Sequence, residues 1–244
     1  MREISLTQLG LFFLLLLAIL SLGGGGAYLA VKQLPLGAYR GVVGAVLCLG
    51  LVYLLGIVVH RVVLRFLPLV EGGKREGSRE EFAYQIYVLF YLFFFFPFIL
   101  SNLLPIPLMR AVYKALGCKI GKGSYGSSQL VDPPLIEIGK YCVLGQAAII
   151  SGHYMAAGKI FHKKVSIGNG VTIGAGAKIN AGVTIKDGAV IGTGAVINPY
   201  CTIGEDATVA PLSYLKARSR VGPGEYWMGV PATRQEQLEK QPKP

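Results

Sequence analysis

From Ile167 onward an aliphatic residue stands at every sixth position: Ile167, Ile173, Ile179, Ile185, Ile191, Ile197, Ile203 and Val209. Four residues after each comes a small or β-branched one: Val171, Ala177, Val183, Ala189, Ala195, Cys201, Ala207 and Ser213. Three residues after, glycine fills successive hexads at Gly170, Gly176, Gly182, Gly188 and Gly194. Ile138, Leu144 and Ile150 extend the beat upstream, and Ile120 falls in the same register. A period of six fits neither a helix nor a single strand. It fits a solenoid of short strands and sharp turns, with three hexads to a triangular coil. The aliphatic residue points inward, the small residue fills the corner, and glycine supplies the left-handed turn conformation. Successive coils stack at about 4.8 Å. The period is silent on hand, and general crossover rules favour a right-handed winding.

The beat breaks once, in "ISGHYMAAGKIFHKKVSIG", residues 150–168. Ile150 and Ile167 are one residue short of the spacing of a full coil, and Tyr154 falls at a corner that elsewhere holds only small residues. A tyrosine there overpacks the corner. The chain is therefore expected to leave the coil near Gly152 and rejoin it near Val165. Two of the three histidines of the chain lie in this excursion. His153 takes the place of a turn glycine, so its imidazole projects from a corner rather than into the core. His162 lies at the far end, beside Lys163 and Lys164, and reads as a solvated loop residue or a second base.

Half of the chain is different in kind. Of the 244 residues 52% are hydrophobic and only 15% charged, and the long apolar runs are confined to residues 6–116. Segments 6–31 and 41–64 are each long enough to cross a bilayer, which takes about 20 residues. A third stretch, within 82–116, carries Pro97 in its middle and Pro105 and Pro107 after it. Proline interrupts helices, so this stretch is expected to form a re-entrant or interfacial hairpin of two short halves. Arg61, Arg65, Lys74, Arg75 and Arg79 then mark the cytoplasmic face. The expected organisation is a membrane domain at 1–116, a β-solenoid domain at 117–232, and a tail at 233–244 that begins as a short helix. Trp227 and Met228 are expected to cap the last coil. A net charge of +11 suits lipid or phosphate partners. Its scattered distribution, without a recognition-helix or zinc-finger pattern, speaks against nucleic acid. Cys48, Cys118, Cys142 and Cys201 form no CxxC pair, so they read as packed thiols and no metal site is expected.

The run "IGNGVTIGAGAKINAGVTIKDGAVIGTGAVI" (167–197) and the closing "GVPA" (229–232) resemble the hexapeptide-repeat, or isoleucine-patch, acyltransferases. "YKALGCKIGKGSYGSSQLVDPPLIEIG" (113–139) and "EYWMGVPA" (225–232), with the apolar helices, are more closely similar to the membrane-tethered β-helix terminal domains of polylysine-type nonribosomal peptide synthetases. The resemblance implies a mainly β fold, a left-handed parallel β-helix, assembled as a homotrimer with sites between subunits. It implies transfer of an acyl group from a thioester, with acyl-CoA or a phosphopantetheinyl carrier protein as donor and no tightly bound cofactor. Such transfer needs a base near neutral pH, which imidazole supplies, and donors for the tetrahedral oxyanion. By the resemblance His153 maps to the base, and His162 matches a second family histidine two residues out of step. Asp132, in "LVDPPL", is a candidate orienting group that reaches a neighbouring subunit's histidine; its plain alternative is a turn aspartate before proline. Asn180 and Tyr154 are candidate substrate contacts. Gly174, Ala175, Gly192 and Thr193 are candidates for the pantetheine groove, and Lys216, Arg218 and Arg220 for phosphates or, alternatively, a solvated basic rim. Three functions compete: a membrane-anchored acyltransferase of the bacterial inner membrane with a cytoplasmic solenoid, acting on an amine or hydroxyl of a membrane-associated or small acceptor; an aminoacyl transferase drawing on carrier-bound amino acids; and a non-enzymatic membrane scaffold.

Overall fold

The computed structural model describes residues 4–75, 77–101 and 104–236. They form two compact units. One comprises residues 4–69, 75 and 77–100, the other residues 70–74, 101 and 104–236.

The first unit is helical. Helix α1 (Leu6–Lys32) begins at Ser5, whose hydroxyl caps the Gln8 amide. Helix α2 (Arg40–Phe66) packs back along it, and Gly23 makes the close approach: a Cβ there would stand 2.6 Å from the Val52 side chain. Helix α3 (Arg79–Leu89) starts at the Ser78 cap and continues through a π-helical turn, Phe90–Phe95, into α4 (Phe96–Leu100). The expectation of two halves broken at Pro97 is not met. The wide turn bonds the Phe96 amide to the Tyr91 carbonyl, one residue beyond the usual partner, and the helix passes through the proline. The three segments Leu6–Lys32, Gly37–Phe66 and Arg79–Leu100 are long and apolar enough to cross a membrane, by length and composition. The last packs on both others: Gln8 bonds Gln85 and the Phe12 ring meets Phe90 edge-on, while Tyr53 contacts Phe94 and Phe98. His60, which position alone marks as a solvated interface residue, is instead enclosed by the rings of Tyr87, Phe90 and Phe95.

The second unit is a parallel β-solenoid of about six turns. Its faces are sheets of six, seven and five strands among the described residues, parallel throughout except for the last strand of the seven. Ile167 pairs with Ile185, which pairs with Ile203, each 18 positions on; Ile173 and Ile179 start the same ladders on the other two faces. This is the register that three hexads per coil demand. The inward aliphatic residues from Ile167 to Val209 are at most 4% exposed, and the small corner residues beside them are buried as well. Cys118, Cys142 and Cys201 are among the buried thiols. The turn glycines have φ between +65° and +76°, but the same turn position continues as Tyr200, Asp206, Leu212 and Arg218, also at positive φ. The coil, not glycine, therefore imposes this conformation, and each substituted corner carries about 1–2 kcal/mol of strain offset by stacking.

Both ends of the stack are covered, as an exposed coil requires. Helix α5 (Ile106–Ala115) lies over the first coil with Met109, Tyr113 and the following Leu116 buried. The Tyr113 hydroxyl donates to the Ser128 carbonyl and accepts from the Leu130 amide. The sequence groups this helix with the hydrophobic hairpin ending at 116; its apolar face instead completes the solenoid core. At the other end Tyr226–Gly229 and Ala232–Arg234 form an antiparallel cap. The predicted tail helix is strand at its start, because Thr233 and Arg234 pair with Met228 and Trp227; the rest of it, 237–244, lies outside the described residues.

Candidate active site

The solenoid breaks where the sequence does. At 153 the chain does not take the positive-φ turn that Tyr141, Ala147, Gly170 and Gly176 take in neighbouring hexads. It leaves as a hairpin, His153–Ala156 paired antiparallel with Lys159–His162, and the coil resumes at Val165–Ile167. In consequence Ile138 pairs with Ile167, 29 positions on instead of 18. A third strand, Gly72–Gly73, pairs with Phe161 and His162. It comes from the link between α2 and α3, and its neighbour Glu71 accepts from the Lys164 amide (3.0 Å) and pairs with the Lys163 ammonium. Nothing in the hexad pattern announces this strand.

Antiparallel pairing sets His153 directly opposite His162, and Tyr154 opposite Phe161, on alternate faces of the hairpin. The histidine face turns toward Asp132. That aspartate sits at the corresponding corner one coil earlier, at φ 64° with its carbonyl accepting from the Leu135 amide. Gly152 lies beneath it: a Cβ there would meet the Asp132 and Leu135 side chains at 3.1 and 2.8 Å. His153 Nδ1 is 2.5 Å from Asp132 Oδ2. The carboxylate side chain is 3% exposed and the imidazole 22%. Asp132 therefore reaches a histidine of its own chain, because the coil stacks corner 132 on corner 152. Burial lowers the His153 pKa, but the hydrogen bond and the charge of Asp132 outweigh it, and the net shift is upward. His162 is not solvated. Hairpin register turns it inward, it is 0% exposed with its ring centre 6.0 Å from that of His153, and burial pulls its pKa down to about 4 against the opposing charge of Asp132.

The opposite face of the hairpin lines a second feature. Tyr154 stacks on Phe161, and its hydroxyl is 3.4 Å from that of Tyr200. The Arg218 guanidinium lies 5.9 Å from the Tyr200 ring centre. With Asn180 and Asn198 they border a cleft of about 520 Å³. Both asparagines donate Nδ2 to the next coil, to the Ile197 and Leu215 carbonyls at 3.0 and 2.7 Å. Tyr200 and Asn198 escape the sequence reading, yet hexad arithmetic holds the signal. Tyr200 is 18 positions beyond Gly182 and 18 before Arg218, on the edge where the excursion departs.

The same arithmetic separates the remaining candidates. Gly174, Ala175, Gly192 and Thr193 stack on another edge, where a Cβ on Gly174 would stand 2.3 Å from the Thr193 amide. Lys216 and Arg218 lie on the excursion edge, and Arg220 is on a strand of the face that carries the Ile167–Ile185–Ile203 ladder, paired with Thr202. Within one chain the groove candidates and the basic candidates are not brought together.

Residues 164–199 match the family described as bacterial transferase hexapeptide (six repeats). The match lies within the solenoid. No curated protein sequence matches the chain significantly. Among solved structures, the solenoid is similar to AntD, an N-acyltransferase from Bacillus cereus in complex with dTDP and 3-hydroxybutyryl-CoA (16% identity, 52% of this chain and 86% of that one, TM-score 0.42). It is similar also to a maltose O-acetyltransferase from Clostridium difficile 630 (23% identity, 50% and 59%, TM-score 0.37). A third is the hexapeptide-repeat containing-acetyltransferase VCA0836 from Vibrio cholerae (18% identity, 57% and 86%, TM-score 0.41).

Proposed function

We propose that the protein is a membrane-anchored acyltransferase that moves an acyl group from a thioester, acyl-CoA or an acylated phosphopantetheinyl carrier, to an amine or hydroxyl of a membrane-borne acceptor. The observation that carries this reading is the His153–Asp132 pair, 2.5 Å apart, at the one break in the hexapeptide coil. With its Nδ1 proton held by the carboxylate, His153 presents basic Nε2 to the acceptor. Nε2 removes the acceptor proton as the nitrogen or oxygen attacks the thioester carbonyl, and returns that proton to the departing thiolate. No covalent enzyme intermediate is needed. Asp132 fixes tautomer and ring orientation and stabilises the imidazolium between the two transfers. The proposal includes a left-handed winding and a trimer whose neighbouring subunit completes the donor groove.

The membrane-borne acceptor is supported by the three helical segments long and apolar enough to cross a membrane. A membrane anchor also raises the local concentration of enzyme over such an acceptor.

The test uses the full-length chain in nanodiscs with a membrane lipid extract and acyl-CoA. Acceptor-dependent release of free thiol is expected, with the acylated product identified by mass spectrometry. His153→Ala lowers turnover by about 10²–10⁴-fold, the usual contribution of a positioned base. Full turnover in that variant removes His153 from the reaction.

A further inference from the structure

The sequence offers His153 and His162 as alternative bases, and for want of paired cysteines it gives no expectation of a metal site. The structure joins the two histidines in one constellation. Asp132, His153 and His162 each offer one ligand atom, and these atoms all lie within 4.8 Å of one another. Two imidazole nitrogens and one carboxylate oxygen form a borderline donor set suited to zinc and its neighbours in the first transition row, and ill-suited to magnesium or calcium.

We propose that Asp132, His153 and His162 bind one divalent transition-metal ion of the zinc class, and that metal occupancy excludes His153 from proton transfer. Ligands about 2.0–2.2 Å from a tetrahedral ion stand roughly 3.3–3.5 Å apart. Binding therefore opens the 2.5 Å Nδ1–Oδ2 contact and draws the widest pair together, shifts within the reach of side-chain rotation. The backbone needs no rearrangement. Asp132 is locked by its turn bond to Leu135, and the two histidines sit opposite each other on a hairpin that the Gly72–Gly73 strand secures. His162 and Asp132 close the buried side of the site, while His153 keeps it partly open, leaving a position for water or an entering ligand. This is the three-ligand arrangement with an open fourth position that catalytic and exchangeable zinc sites share. The proposal rests on the acyltransfer reading only for its second half: with Nδ1 on the metal the ring proton resides on Nε2, which then has no lone pair to take the acceptor's proton.

Cobalt(II) replaces zinc as the probe, on tag-free full-length protein stripped with chelator and held in detergent. The background is clean, since the only other histidine is His60, within α2. One equivalent of cobalt is expected to give tetrahedral d–d absorption that zinc displaces, with no sulfur charge-transfer band. Asp132→Asn and His162→Gln should each weaken cobalt binding by about 10–100-fold or more, with melting temperatures checking that both variants fold. Absence of a site-specific cobalt spectrum, or a spectrum unchanged in folded His162→Gln, overturns the site. Acyl transfer should fall in step with zinc occupancy and return on chelation; binding without loss of transfer overturns the exclusion while leaving the site. If the chain proves to transfer no acyl group, the cobalt titration still reads the site by itself.

Discussion

At the scale of single residues, the proposed role of His153 as base makes its hydrogen bond to Asp132 the source of a testable pH dependence. A base must be neutral to act, so its pKa sets the acid limb of the rate profile. Burial alone lowers the His153 pKa below the ordinary histidine value of about 6.5; the bond to Asp132 and its charge bring the net shift above it. In chelator-treated protein, kcat/KM is therefore expected to fall as pH drops through a value above about 6.5. Asp132→Asn removes the two raising contributions and leaves burial, so the limb moves to lower pH while the plateau falls by about 100-fold through lost orientation. A limb that stays in place in Asp132→Asn rules out the pairing as the source of the shift. Sequence makes His153 legible because it interrupts a counted beat at a turn-glycine position. It makes His162 only half legible. Whether that residue faces solvent or Asp132 depends on hairpin register, and a single-residue slip reverses every side chain of a strand.

At the scale of elements, the hexad is the unit of stability. Ile185 is 1% exposed and stacked between Ile167 and Ile203, with no slack in a lumen filled by one aliphatic residue per face per coil. Ile185→Ala should cost about 2–5 kcal/mol in denaturant melts that follow the β-solenoid, the range for large-to-small core changes. A loss under about 1 kcal/mol, the size of an exposed-site change, shows that the lumen collapses around the cavity. The coil register is readable from sequence because inward position, corner and turn each fix a residue type. The elements that depart from the beat are not. Helix α5 groups with the apolar segments before it, since nothing local separates a helix that caps a solenoid from one that returns from a bilayer; burial of Met109, Tyr113 and Leu116 is a tertiary fact. The strand Gly72–Gly73 has no side chains to pattern at all, and it forms because the Lys159–His162 strand of the hairpin has a free edge for it to pair with.

At the scale of the whole molecule, that strand constrains how the chain meets a membrane. Residues 70–74 and 101–236 belong to one compact unit, so the segment 75–100 leaves that unit and returns to it. If that unit lies wholly on one side of a bilayer, the segment does not cross it once, however apolar its 22 residues between Arg79 and Leu100 are. Packing in the helical unit points the same way. Phe98, near the end of α4, meets Tyr53, the midpoint of α2, with ring centres 4.5 Å apart. If α1 and α2 span, the third helix, ending at Leu100, reaches only about half-way along α2. Helix length alone favours a third crossing; we propose a re-entrant course instead, on the ground that a β-bridge such as that of Gly72–Gly73 cannot form through a bilayer. Single-cysteine variants on a cysteine-free background test this in intact cells. Arg75→Cys and Lys178→Cys are expected to be shielded together from a membrane-impermeant maleimide, while Leu34→Cys, between α1 and α2, is labelled. Labelling of Arg75→Cys and Lys178→Cys from opposite sides would mean that the 79–100 helix crosses and that the Gly72–Gly73 strand is not bonded to the hairpin in the membrane.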